Sequence, residues 1–404
     1  MRIAVVSPFL DRRHGAERCV VEQIEDFCRR PGTEIHIYAQ EIQDLEVVRD
    51  AGLRERNHAS GKPVWHRIPK LTGPHLFNYL WWFAANTSLR WFHRTFRSLS
   101  YDVVYSPGIN CPDADAIVTH VIFHEFFLHV REGLRLRSAP LRSWPATIHR
   151  TLYYRLIRFL ENWIFPNPGV RLAGVSNLTA RELSQTAKRD DISVIPNAVD
   201  CAKFNSEERL RRRAESRAAF YFSDADFVLL LLGNGWNNKG LAALLEAMGT
   251  LRDLPVKLLV VGRDNRAPFQ AQIRKLQLDA RVIFAEPSPD VLHFYAAADA
   301  YASPSLHDSF ALPPLEAMAC GLPVITSVQN GGSQIITEGM DGFVLNDPED
   351  VSRLAELIRN LCEQPGLCLR VGSCAATTAR SYTWERNASE TWSFLLSAFR
   401  RKDT

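Results

Sequence analysis

The sequence has no C-x-x-C pair and no strong excess of either charge. It also has no apolar run near the ~18 residues that a membrane-spanning helix needs. Its eight cysteines (Cys19, Cys28, Cys111, Cys201, Cys320, Cys362, Cys368, Cys374) are scattered, several on apolar helical faces. That argues against a disulfide framework and suits a reduced, cytosolic compartment. Cys362, Cys368 and Cys374 have no neighbouring histidine and no zinc-motif spacing, so they read as packing residues. A net charge of +3 unaccompanied by a base-reading module does not point to nucleic acid. Met1 leads directly into a strand, so no signal peptide is expected. What is present is the composition of a soluble globular protein, 46% hydrophobic and 23% charged. Its 404 residues call for two domains of roughly 200 residues each.

Strand and helix alternate along the chain. Residues 2–7 form a buried strand, and a helix is expected over 16–29, where Val20, Val21, Ile24, Phe27 and Cys28 recur at helical spacing. Strands are expected at 34–39, 101–106 and 115–121, and residues 171–176 read as the last strand of the first domain. Residues 40–70 are polar and are expected to hold loops and one short helix. An aromatic, basic helix follows over 75–99. Between 131 and 161 the charge is lopsided: Arg131, Arg135, Arg137, Arg142, Arg150, Arg155 and Arg158 face only Glu132 and Glu161. Such a stretch fits anionic headgroups, a phosphorylated acceptor, or a packed helix with a solvated arginine face. Helices at 179–188 and 206–217 precede strands at 226–232, 256–262 and 281–284, and amphipathic helices at 350–361 and 384–400 end the chain.

The densest chemistry lies in residues 301–325, a strand end, a polar loop, a short helix and a second strand from Pro323. Pro313 and Pro314 suit the helix's first turn, where their missing N–H groups cost nothing. Gly321 and Pro323 end it. Asp308 stands on the loop, Glu316 in the first turns, and the N–H groups of Phe310, Ala311 and Leu312 lie between them. A helix N-terminus favours an anion, and ligands of an open parallel sheet bind at its carboxyl edge. Donors for phosphate beside acids for hydroxyls suit a sugar-phosphate or nucleotide-sugar.

Three further stretches carry chemistry. In Gly233-Asn234-Gly235-Trp236-Asn237-Asn238-Lys239-Gly240, Asn238 stands where a dinucleotide fingerprint needs its third glycine, so that reading fails. Lys239 at a helix start is instead suited to clamp a diphosphate. In His14-Gly15-Ala16-Glu17-Arg18, Gly15 lets the backbone approach a ligand ahead of a helix. His120 ends a strand at the ligand edge and is a catalytic candidate, with His124 close behind.

Asp308, seven residues, then Glu316 followed by A-M-A-C-G-L-P-V-I resembles the signature of the retaining nucleotide-sugar glycosyltransferases of GT-B architecture (glycosyl transferases group 1, family 4 type). Both acids are usually glutamate in that family; here the first is Asp308, one methylene shorter. By position, the resemblance implies that Glu316 holds the ribose hydroxyls and Asp308 faces the transferred sugar. Residues 14–18 resemble the family's G-G-A-E-R loop beside the donor phosphates, with His14 in place of the first glycine. Residues 195–200 with Phe204 resemble its I-P-N-G-V-D…F crossing into the second domain. Residues 233–240 resemble its G-R-x-x-x-x-K-G, whose arginine and lysine neutralise the diphosphate; Lys239 keeps its place and Asn234 replaces the arginine. Asn330-Gly331-Gly332-Ser333 resembles its G-G loop, and residues 339–345 its D/N-G-F/L-V hairpin. In the lipopolysaccharide-core hexosyltransferase branch an acid or histidine at the place of His120 projects toward the reacting sugar.

The resemblance implies an α/β chain of two Rossmann-like domains facing a cleft: an acceptor domain at 1–200, a donor-binding domain at 201–380, and a C-terminal helix at 381–404 returning to the first. The expected activity is retaining transfer of a hexose from a nucleoside-diphosphate sugar to a glycan or glycolipid hydroxyl. Expected catalytic residues are Asp308, His120 and Lys239. Expected donor contacts are Gly15, Gly233, Asn234, Lys239, Phe310, Ala311, Leu312 and Glu316. No Asp-x-Asp dyad stands near the donor loops, so no metal is implied. Expected partners are the donor, the acceptor and, peripherally, an anionic membrane face, with a cytoplasmic location. Two other readings share these residues, a nucleotide-sugar hydrolase or epimerase and a non-catalytic nucleotide-sugar-binding protein at the membrane.

Overall fold

The computed structural model describes residues 1–49, 61–130 and 144–402. They fall into two compact units, Met1–Pro196 with Trp384–Thr404, and Asn197–Thr383. The arginines at 131, 135, 137 and 142 lie outside the described residues.

In the first unit the strands are β1 (Arg2–Val6), β2 (Phe9–Leu10), β3 (Glu34–Ala39), β4 (Glu41–Ile42), β5 (Val48–Arg49), β6 (Val64–Arg67), β7 (Val103–Ser106), β8 (Ala116–Thr119), β9 (Arg171–Gly174) and β10 (Ile192–Val194). Eight of them form one sheet in the order β10-β9-β8-β7-β1-β3-β6-β5, paired in parallel, while β2 and β4 pair separately. Ile3 of β1 lies between Ile35 and Val103. Parallel neighbours need crossovers, and the helices here are α1 (Gly15–Arg29), α2 (His75–Phe96), α3 (Phe123–Val130), α4 (Trp144–Ile164) and α5 (Asn177–Ala187). The apolar stripe of α1, Val20, Val21, Ile24 and Phe27, is fully buried. Ser176 caps α5 by accepting from the Thr179 N–H at 3.0 Å.

Two expectations for this unit are corrected. Residues 61–70 hold strand β6, and no helix occurs among the described residues of 40–70. The strand escapes a hydrophobic-pattern reading because its buried positions are Trp65 and His66. Their polar atoms are satisfied internally, with Trp65 Nε1 donating to Ala39 O at 3.0 Å and His66 Nε2 lying 2.8 Å from His36 Nδ1. Nor is β9 the last strand, because β10 pairs beyond it, Ile192 against Leu172.

In the second unit the elements are α6 (Ser206–Ala219), β11 (Phe227–Leu232), α7 (Leu241–Thr250), β12 (Val256–Val261), α8 (Ala267–Leu276), β13 (Val282–Ala285), α9 (Leu292–Ala297), β14 (Ala300–Ala302), α10 (Leu312–Ala319), β15 (Val324–Ser327), β16 (Phe343–Leu345), α11 (Val351–Glu363) and α12 (Pro365–Ala379). The sheet runs β13-β12-β11-β14-β15-β16, parallel throughout. Central β11 reads Phe-Val-Leu-Leu-Leu-Leu because both its faces are covered. Residues 339–345 are not a hairpin: a turn closed by the Gly339 N–H on Gly342 O at 2.9 Å leads into β16, which pairs parallel to β15. Helix α12 was not expected. It buries small residues, Gly372, Ala375, Ala376 and Ala379, and a Cβ on Gly372 would lie 2.3 Å from Gly321 O. That backbone-close seat leaves little apolar signal.

The C-terminal helix α13 (Trp384–Lys402) belongs to the first unit. Gln23 of α1 donates to Asn387 Oδ1 at 2.8 Å and Thr391 Oγ1 at 3.1 Å, and accepts from the Tyr105 hydroxyl at 2.8 Å. Trp392 packs on Phe27 with ring centroids 5.4 Å apart.

Glu161 of α4, fully buried, accepts from the Phe123 N–H at 2.6 Å and the His124 N–H at 3.0 Å, so it caps α3. Burial outweighs these bonds and pushes its carboxyl up to about 7, while burial and then Arg158 lower the pKa of His124, 2.6 Å away. A carboxyl raised from its ordinary 4.5 contributes stability that is full below that value and lost as pH rises through about 7. Compared with Glu161→Gln, the native protein should therefore lose about 3 kcal/mol between pH 4.5 and pH 8. The lowered pKa of His124 acts in the opposite sense. Urea unfolding of both proteins across that range, followed by circular dichroism, checks this; parallel curves would reject it.

Candidate functional site

In the second unit, strand order runs outward from β11 through β12 and β13 on one side and from β14 on the other. The crevice between the carboxyl ends of β11 and β14 is thus the topological switch point, where open α/β sheets bind ligands. Residues 233–240 follow β11 and residues 303–308 follow β14.

The two loops are knit together. Leu306 N–H donates to Asn238 O at 2.7 Å, Asn238 Nδ2 to His307 O at 2.5 Å, and Ser303 Oγ to Lys239 O at 3.3 Å. Gly240, at φ +79°, brings its α-carbon so close to the other loop that a Cβ would lie 2.1 Å from Pro304 O. Gly233, at φ +120°, lies beneath the lysine side chain, and a Cβ there would meet Lys239 Cε at 2.7 Å. Lys239 is thereby folded back across the crevice to Asp308, Nζ to Oδ2 at 3.2 Å. Burial disfavours the ammonium, but the Asp308 carboxylate and Tyr301 outweigh it, so its pKa stands above the ordinary lysine value and the charge is kept. The Asp308 side chain retains 22% exposure and so meets whatever enters the crevice. Its backbone is fixed on both sides, by Asp308 N–H to Gln329 O at 2.9 Å and Gly331 N–H to Asp308 O at 2.8 Å.

Helix α10 starts beside this pair, with its prolines in the first turn and no side-chain cap at Ala311. One of the three expected N–H donors is corrected. That of Ala311 faces Asn330 Oδ1 at 3.4 Å, because the Asn330 carboxamide also caps Gly332 at 2.9 Å and is itself held to Thr326 Oγ1 at 3.1 Å. The Phe310 carbonyl accepts from Asn197 Nδ2 at 3.4 Å. Glu316 is only 6% exposed, and its Oε2 accepts from the Tyr295 hydroxyl at 2.8 Å. Asn234 faces the neighbouring loop, its Oδ1 accepting from the Arg263 N–H at 2.9 Å.

The structure thus joins Gly233, Lys239 and Asp308 directly, with Glu316 and the start of α10 on the same loop-helix segment. Gly15 and His120 belong to the first unit. Gly15 opens α1 after His14, whose Nδ1 lies 2.8 Å from Asp11 Oδ2, and His120 is buried at the end of β8. Residues missed in the sequence are Tyr295, Tyr301 and Asp264, the last accepting from the Trp236 N–H at 2.6 Å. Tyr295 lies on a short helix and Tyr301 on a buried strand, where a tyrosine reads as core. Asp264 offered a signal, an acid just beyond a strand's carboxyl end. Among the described residues no group of three or more His, Cys, Asp or Glu is placed to hold a metal.

Residues 212–377 match the family model described as "Glycosyl transferases group 1". The D-inositol 3-phosphate glycosyltransferase of Pseudarthrobacter chlorophenolicus is 29% identical over 236 residues, 54% of this chain and 55% of its own. The chain spans about half the length of the curated relatives it matches. Among solved structures, WaaG, a glycosyltransferase involved in lipopolysaccharide biosynthesis, superposes with a TM-score of 0.73 at 19% identity, covering 97% of this chain and 99% of its own. Anabaena Alr3699/HepE, solved with UDP and glucose, gives 0.67 at 19% identity, covering 98% of this chain and 100% of its own. The fold is therefore GT-B, and residues 212–377, within the second unit, are similar to the glycosyl transferases group 1 family.

Proposed function

We propose that the chain transfers a hexose from a nucleoside-diphosphate sugar to a hydroxyl of a glycan or glycolipid, with retention at the anomeric carbon. The observation that carries this is the Lys239–Asp308 pair set across the switch-point crevice at 3.2 Å. Donor entry exchanges partners: a phosphate oxygen takes the Lys239 ammonium and releases the Asp308 carboxylate to the sugar. Bond breaking then develops negative charge on the leaving diphosphate, met by Lys239 and the start of α10, and positive charge on the sugar, met by Asp308. Glu316, oriented by Tyr295, takes the ribose hydroxyls through its small remaining exposure. His120 acts on the acceptor side.

The UDP and glucose bound by HepE support a nucleotide-sugar donor, and the lipopolysaccharide role of WaaG and the D-inositol 3-phosphate in the curated relatives' name support a phosphorylated or lipid-linked acceptor. Among the described residues no helix is long and apolar enough to cross a membrane. The first unit does expose Phe77, Trp91 and Phe96 on α2 and Phe159 and Trp163 on α4. With the arginines of both helices, these suit a peripheral seat on anionic lipid at the cytoplasmic face.

Asp308→Asn should cut kcat about 100-fold while changing donor affinity less, and Glu316→Gln should weaken nucleoside-diphosphate binding about tenfold. Calorimetry with UDP-, GDP- and ADP-sugars, paired with acceptor-dependent turnover, measures both. Unchanged affinity and rate in both variants would reject the assignment. His120→Ala should lower kcat at least about tenfold with the donor KM unchanged, and near-native turnover would return this histidine to a structural role.

A further inference from the structure

The charge balance at the crevice is short by one cation. A diphosphate brings two or more negative charges, whereas Lys239, once it has released Asp308 to the sugar, brings a single positive one. We propose that Arg263 is the second diphosphate-binding cation of this site, an inference that rests on the nucleotide-sugar reading above.

Arg263 follows Gly262 at the carboxyl end of β12, next to β11 in the sheet. Three close approaches fix its backbone against the loop of Lys239. Its N–H donates to Asn234 Oδ1 at 2.9 Å. Asp264, the next residue, accepts from the Trp236 N–H at 2.6 Å. Gly262, at φ +155°, presses on the same loop so tightly that a Cβ would lie 2.5 Å from Gly233 O. Gly233 is also the residue over which Lys239 passes, so one glycine has the lysine chain on one side and the Arg263 strand end on the other. Asn234 is then a positioning residue: its carboxamide holds the Arg263 backbone and leaves the guanidinium to the ligand.

The Arg263 side chain is available for this. It is 76% exposed, and its ion pair with Glu286, at 3.9 Å, is loose. Glu286 is more closely engaged by Arg266, at 3.3 Å, and Arg266 is itself seated over the Phe284 ring at 5.3 Å from the centroid. Phosphate oxygens offer the guanidinium a planar, two-bond partner in place of that ion pair.

The test compares nucleoside diphosphates with monophosphates (UDP with UMP, GDP with GMP, ADP with AMP) by calorimetry on the full chain, because their affinity ratio isolates the outer phosphate. Arg263→Ala should reduce that ratio about tenfold, with unaltered melting of the free protein because the side chain is exposed. Arg263→Lys should retain part of the ratio. Adding Asn234→Arg to Arg263→Ala should restore most of it by returning a cation to the crevice from the neighbouring position. A native protein that prefers diphosphate, with the same preference in Arg263→Ala, would overturn the role of Arg263 alone. A native protein that binds none of the six nucleotides would overturn this inference together with the nucleotide-sugar reading.

Discussion

The buried contact between Lys239 and Asp308 constrains the second unit more than any other pair at its ligand edge. A lysine taken out of water keeps its charge only with a partner, and this partner stands on the loop of a different strand. Everything that brings the two loops together serves that contact. Gly240 closes against Pro304, Asn238 is bonded to both Leu306 and His307, and Gly233 lets the lysine chain pass over its α-carbon. A methyl group on either glycine would collide with the very atoms that build the crevice.

The same logic recurs where the fold buries charge away from the site. Arg217 of α6, 2% exposed, spans to Asp299 Oδ2 at 3.0 Å and to Asp226 O at 2.6 Å, while Asp299 accepts from the Val228 N–H at 2.8 Å. The starting ends of β11 and β14 are thus tied to a helix by a hydrogen bond and an ion pair of one arginine, and their far ends are left to carry the glycine-rich loops. A firm base beneath a polar edge is what a site needs if its groups are to hold position when a charged ligand enters.

Where the chain announced itself in sequence, it did so through uniform physics. The Phe-Val-Leu-Leu-Leu-Leu run of β11 is apolar on both faces because both are covered, and α1 shows its buried stripe at Val20, Val21, Ile24 and Phe27. Strand β6 stayed hidden because its interior positions are a histidine and a tryptophan satisfied by distant partners. Helix α12 stayed hidden because close backbone packing uses glycine and alanine, which carry little pattern. At the site, Lys239, Asp308 and Glu316 were legible as residue types beside helix starts. That Lys239 reaches Asp308, that Tyr295 binds Glu316, and that Asn330 already takes the Ala311 N–H depend on contacts between segments 19 to 69 positions apart. No local spacing encodes them.

In sequence the second unit is an insertion, since residues 197–383 interrupt a unit whose Gln23 bonds to Asn387 and Thr391 of α13. During synthesis the inserted unit emerges whole and can complete its sheet early. The enclosing unit keeps Gln23 and Phe27 without these partners until α13 has been made, so the unit begun first is closed only after the inserted one.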